Sequence, residues 1–125
     1  MKQIIATDKA PAAIGPYSQG ILVNGTLYVS GQIPVDPATG ELVENIIEKQ
    51  AEQSLKNVIA IVEAAGFTAK DVVKTTVLLK DINDFGVVNQ IYARYFGEES
   101  PARACFEVAN IPKGALIEVE AIAER

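Results

Sequence analysis

An α+β fold, a mixed six-stranded sheet with two helices on one face, is predicted by three observations. Asn24-Gly25 separates two strand-like runs, and this dipeptide is the strongest short-range hairpin signal because both turn residues need positive φ. Two longer stretches repeat apolar residues at three- and four-residue steps, the period of a helix buried along one stripe. The remaining apolar runs are short, which completes the order β-β-β-α-β-α-β-β. At 125 residues the whole chain reads as one domain, residues 1–125, long enough to bury a core without disulfide or metal staples.

Residues 2–5 make a short first strand, followed by a loop from Ala6 to Pro16 with two prolines and little periodicity. Gln19–Val23 and Thr26–Ile33 are the hairpin strands, and the second ends in Ser30-Gly31-Gln32-Ile33-Pro34. A helix spans about 45–65, with Ile47, Ala51, Leu55, Val58, Val62 and Ala65 as its apolar stripe and Gly66 in place for a C-terminal cap. Val72–Leu79 is a β-branched strand that is apolar on both faces. Asp81-Ile82-Asn83-Asp84 offers N-caps for a second helix over 84–96, whose stripe is Phe85, Val88, Tyr92, Tyr95 and Phe96. The last two strands, 103–109 and 115–123, read as a hairpin around Asn110-Ile111-Pro112-Lys113-Gly114. Their alternation puts Ala104, Phe106 and Val108 towards the helices with Ile117, Val119, Ala121 and Ala123. Arg103, Cys105, Glu118 and Glu120 then share the far face, given a favourable register or a bulge. That face is half apolar (Leu116, Ile122 and part of 72–79), a pattern explained by self-association.

The composition narrows the chemistry by what it lacks. There is no histidine, which removes Ser-His-Asp triads, Cys-His dyads and histidine metal sites together. A single cysteine builds neither a disulfide nor a thiolate metal site, and suits a cytoplasmic protein. The net charge of −5, with 11 scattered Lys and Arg, opposes nucleic-acid binding. No apolar run approaches the ~20 residues of a membrane span, so no membrane partner is expected. Acid–base work falls to Glu, Asp, Tyr, Lys, the thiol or water.

Several residues invite a functional reading beside a plain one. Arg103, just after Pro101 at the mouth of a strand, is either a carboxylate or phosphate clamp or a surface arginine lying over the sheet. Tyr17 is a surface cover or a pocket wall. Gly31 marks a close backbone approach to a ligand or a bend before Pro34. Asn89, at the edge of its helical stripe, reaches a site or satisfies a loop.

Taken together, the motifs resemble those of the reactive-intermediate deaminase (RidA, YjgF-type) family. They include Ala12-Ala13-Ile14-Gly15-Pro16-Tyr17-Ser18-Gln19-Gly20, Ser30-Gly31-Gln32-Ile33-Pro34, Asn57-Val58, Lys74-Thr75-Thr76-Val77, Asp84-Phe85 and Val88-Asn89. Pro101-Ala102-Arg103-Ala104-Cys105 and Ile117-Glu118-Val119-Glu120-Ala121 complete the set, which runs nearly end to end. The resemblance implies a homotrimer of chorismate-mutase-like subunits with clefts between them. It implies hydrolysis of enamines and imines, such as 2-aminoacrylate and 2-aminocrotonate released by pyridoxal-phosphate dehydratases, to 2-oxo acids and ammonia, without a cofactor or metal. On the matching positions, Arg103 binds the substrate carboxylate and Glu118 orients water and shuttles protons. Backbone groups at Gly31 and Cys105 hold polar atoms, and Tyr17, Ser30 and Asn89 line the cleft; the Cys105 thiol is a wall, not a nucleophile.

Two departures stand out: Ala104 replaces the Ser or Thr of many members, and the loop before Pro101 is shorter. A non-catalytic trimer that senses small 2-oxo acids is the alternative reading. Ribonuclease activity, also known in the family, is opposed by the acidic balance and the missing histidine.

Overall fold

The computed structural model describes residues 1–125, and its first strands follow from one dipeptide. Asn24 and Gly25 take φ of 50° and 79°. Those values close a tight turn whose twist matches the flanking strands. The turn joins β2 (Gly20–Val23) to β3 (Thr26–Gln32), and β1 (Gln3–Ile5) adds on the other side of β2. The loop between β1 and β2 has no regular structure, and one buried side chain supplies its order. Gln19 Oε1 accepts from the Thr7 amide at 2.6 Å, while Nε2 donates to the carbonyls of Thr7 at 3.0 Å, Ala10 at 3.3 Å and Pro11 at 2.7 Å.

The first helix, α1 (Ile47–Ala64), ends where Gly66 adopts φ 83°, and the Phe67 amide reaches back to the Val62 carbonyl at 3.1 Å. This is the left-handed glycine cap that the sequence predicts. The buried stripe is wider than its apolar residues, because it includes Gln50, Ser54 and Asn57 along with Ile61. Two of these polar residues stitch irregular chain to the helix. Asn57 Nδ2 donates to the Ile33 and Val35 carbonyls, and Gln50 Oε1 accepts from the Leu116 amide. A buried amide is tolerated where it satisfies backbone groups that have no ladder partner.

The second half of the chain differs from its sequence reading. β4 (Val72–Leu79) leads through α2 (Phe85–Phe96) to β5 (Ala102–Glu107), which pairs with β4 in parallel. A helix-length crossover is the ordinary route between parallel neighbours. β6 (Ile117–Glu124) does not pair with β5 at all. It inserts antiparallel between β3 and β4, giving the order β1-β2-β3-β6-β4-β5. The predicted terminal hairpin is therefore wrong. The Val108 amide donates to the Leu79 carbonyl at 2.9 Å, holding the end of β5 beside β4, and a turn over Pro112–Gly114 then carries the chain across. The physical reason is burial. β6 hides Ile117, Val119, Ala121 and Ala123 and needs neighbours on both sides, whereas the short β5 carries charge and suits an edge.

Both helices cover one face of the sheet, and the core lies between, built from Leu27, Val29, Val77, Leu79, Val119 and Ala121 against Leu55, Val58, Ile61, Val88 and Tyr92. Within α2, Ile91 joins the buried stripe and Phe85 lies at its exposed margin. The opposite face carries Leu78, Ile122, Tyr28 and Phe106, and the last two are 48% and 55% exposed. No helix is long and apolar enough to cross a membrane.

Candidate active site

Strand register decides where the chemistry points. Arg103 pairs with Thr75 and Cys105 with Val77, so both stand on the helix-covered face beside buried neighbours. Glu118 and Glu120 pair with Leu78 and Thr76 and stand on the open face. The expectation that Arg103, Cys105, Glu118 and Glu120 share one face is corrected: the sheet separates the first two from the last two. Ala104 and Phe106 face the open side rather than the core.

On the helix side, the exposed Arg103 is held by one stripe of α2. Nη1 donates to Asn89 Oδ1 at 2.8 Å. Its Cζ lies 5.2 Å from the Phe85 ring centroid and 4.8 Å from that of Tyr92. This leaves Nε and Nη2 free of protein hydrogen bonds, a planar fork ready for a carboxylate. Asn89 thus has its carbonyl oxygen committed to the arginine. Cys105 is half-buried; burial pushes its thiol up, against an opposing pull from the Arg103 charge. The thiol stays protonated and is no activated nucleophile.

On the open face, Glu118 lies over the backbone of β3. A Cβ at position 31 would fall on Glu118 Oε2, so the carboxylate occupies the space that Gly31 leaves empty. Burial, and then the charge of Glu120 two residues along the same face, raise the proton affinity of Glu118. Next to this point Ser30 Oγ donates to the Ser18 carbonyl at 2.5 Å, and the Ser30 amide donates to the Gln19 carbonyl at 2.9 Å. Ser30 therefore ties down the loop that presents Tyr17, a residue 52% exposed. The structure brings together Ser30, Gly31 and Glu118 in one group and Asn89, Arg103 and Cys105 in another.

A family model described as endoribonuclease L-PSP matches residues 7–125. A solved structure from Yersinia pestis, YyfA of the conserved Rid protein family, superposes with a TM-score of 0.96 at 54% identity, covering 100% of both chains. The chain belongs to this Rid family. Among relatives of the Rid family, the 2-iminobutanoate/2-iminopropanoate deaminase of Rattus norvegicus is 57% identical over 98% of this chain and 90% of its own length. Escherichia coli TdcF, solved with bound serine, is 47% identical with a TM-score of 0.93, over 98% of both chains. The sequence reading counted Phe85 and Thr75 among the family motifs and Tyr92 in the helix stripe, but gave none of the three a place beside Arg103. The Phe85–Asn89–Tyr92 spacing of four and three residues was the available signal, since it sets all three on one side of α2.

Proposed function

We propose that this chain hydrolyses small 2-imino acids and their enamine tautomers, such as 2-iminopropanoate and 2-iminobutanoate, to 2-oxo acids and ammonia. The observation that carries this reading is the pre-oriented, singly bonded guanidinium of Arg103, a fork for the carboxylate that every such substrate carries. The identity to the rat deaminase supports the reaction class. Serine bound to the E. coli relative supports a ligand of amino-acid size.

The chemistry needs little machinery. Arg103 fixes the carboxylate, and the carbon of the C=N bond accepts a water from which Glu118 takes a proton. With the imine nitrogen already protonated, this addition leaves a neutral carbinolamine. It collapses to the ketone as the protonated Glu118 returns its proton to the nitrogen and the hydroxyl proton passes to the departing ammonia, so that one water is consumed and one ammonium ion released. A half-buried carboxylate with raised proton affinity suits both directions of that transfer. Tyr17 and the backbone at Gly31 and Cys105 complete the walls, with no cofactor or metal needed.

Arg103 and Glu118 lie on opposite sheet faces within one chain, so they meet on a small substrate only if two copies supply them. Along β4 their rows are three residues apart, about 10 Å, in addition to the thickness of the sheet. The edge bearing Arg103 and the open face bearing Glu118 are different patches, and joining them head-to-tail generates a ring. The proposed assembly is the homotrimer with three clefts between chorismate-mutase-like subunits. Its partners are pyridoxal-phosphate dehydratases that release these imines in the cytoplasm.

The test couples a threonine dehydratase to this protein and follows 2-oxobutanoate release. Wild type accelerates release, and Arg103→Ala does not. Turnover unchanged in Glu118→Gln would sink the mechanism, whereas no acceleration by wild type would leave a trimeric sensor of 2-oxo acids, the reading that serine-bound TdcF also accommodates.

A further inference from the structure

Arg103 extends from an edge strand, where a long side chain ordinarily samples many rotamers. Its guanidinium is instead held over the Tyr92 and Phe85 rings, within cation–π range of both. Tyr92 differs from the other two contacts because it is anchored twice. It belongs to α2, and its Oη lies 2.6 Å from Thr75 Oγ1 on β4. Thr75 is fully buried and is the register partner of Arg103 itself. The hydrogen bond therefore fixes the aromatic platform relative to the strand pair that carries the arginine. Each hydroxyl has the other as its only partner, so neither is satisfied alone.

We propose that Thr75 and Tyr92 are positioning residues of the carboxylate clamp: their buried hydroxyl pair holds the Tyr92 ring as the fixed platform on which Arg103 is pre-oriented for its substrate. This rests on the reading of Arg103 as the clamp. Without the anchor, the arginine is ordered at the expense of binding. The loss falls on affinity, since the reacting carbon is attended by Glu118 of a second copy.

The experiment compares Thr75→Val, Tyr92→Phe, the double variant and Tyr92→Leu with wild type and Arg103→Ala. It measures thermal midpoints, calorimetric affinity for 2-oxobutanoate, and KM and kcat for imine hydrolysis. Each single hydroxyl removal leaves a buried partner unsatisfied and lowers the midpoint. The double variant pairs two apolar groups and recovers most of the midpoint, yet its affinity stays about fivefold weaker and KM rises equally, with kcat within twofold. Tyr92→Leu, which has no platform, binds about tenfold more weakly. Affinity that recovers together with the midpoint in the double variant would reduce the pair to core packing and overturn the proposal. If Arg103→Ala loses binding while the double variant and Tyr92→Leu bind like wild type, the clamp stands and the positioning role falls. If Arg103→Ala itself binds like wild type, the clamp reading is wrong and this inference goes with it.

Discussion

Replacing Gly31 with alanine separates catalysis from folding more cleanly than deleting a charged group. Gly31 lies outside the left-handed region, so alanine fits the backbone without strain. The added methyl would nonetheless land on the Glu118 carboxylate, 2.9 Å from Cδ and 3.2 Å from Cγ. Real Cβ atoms do not approach that closely, and the end of a flexible side chain is what yields. Glu118 swings off the β3 backbone while the rest of the sheet stays in place. Stability then changes by no more than about 1 kcal/mol, because no core residue or buried hydrogen bond is touched. A positioned acid–base group contributes about 10²–10⁴-fold. Displacement rather than removal puts the loss near the lower end, about 100-fold in kcat, equivalent to about 2.7 kcal/mol of barrier. KM changes less than kcat, since Arg103, which binds the carboxylate, stands on the other face. The assay is 2-oxobutanoate release behind a threonine dehydratase, read above the uncatalysed decay. Combining Gly31→Ala with Glu118→Gln adds no further loss, because both remove one function. Wild-type kcat in a folded Gly31→Ala protein would refute the placement of Glu118 as the acid–base group.

Three further outcomes follow from the same geometry. Gln19→Ala strips the hydrogen bonds that order residues 7–11 and costs about 1–3 kcal/mol; faster amide exchange at Thr7 reports it, and unchanged exchange would count against the anchor. Glu118 must be ionised to take a proton from water, and burial followed by the Glu120 charge raises its pKa, so activity falls as pH drops through that raised value. Glu120→Gln removes the repulsion and moves the acid limb of kcat/KM to lower pH, whereas an unmoved limb would assign it to another group. Light scattering at micromolar concentration gives a trimer of the 13.4 kDa chain, and Phe106→Asp on the open face gives a monomer; a trimer that survives the charge would place the interface elsewhere.

Much of this protein is legible in local pattern. The Asn24-Gly25 turn, the glycine cap of α1, the span of β4 and the alternation of β6 are set by neighbours in sequence, and each stands where its residues indicate. The candidate site residues were named as a set through the motifs they share with a family, and their roles remain a proposal. Partner choice among strands was not legible, because pairing depends on the burial demand of every strand at once. The β4–α2–β5 order did contain a clue, since a helix between two strands is the usual parallel crossover. The deeper error concerned which way β5 faces. Its alternation is real: Ala104 and Phe106 share one side and Arg103 and Cys105 the other. Reading the apolar side as inward assumes that β5, like β6, hides its apolar row under the helices. Here Leu78, Ile122, Tyr28 and Phe106 make the second surface apolar too, so alternation on an edge strand carries no sign. What does carry a sign is the partner a charged residue needs. Arg103 turns to the helix side because Asn89, Phe85 and Tyr92 wait there with an acceptor and two ring faces. That leaves Phe106 on the open surface at 55% exposure, so the feature that misled the strand assignment is also the one that favours the proposed assembly.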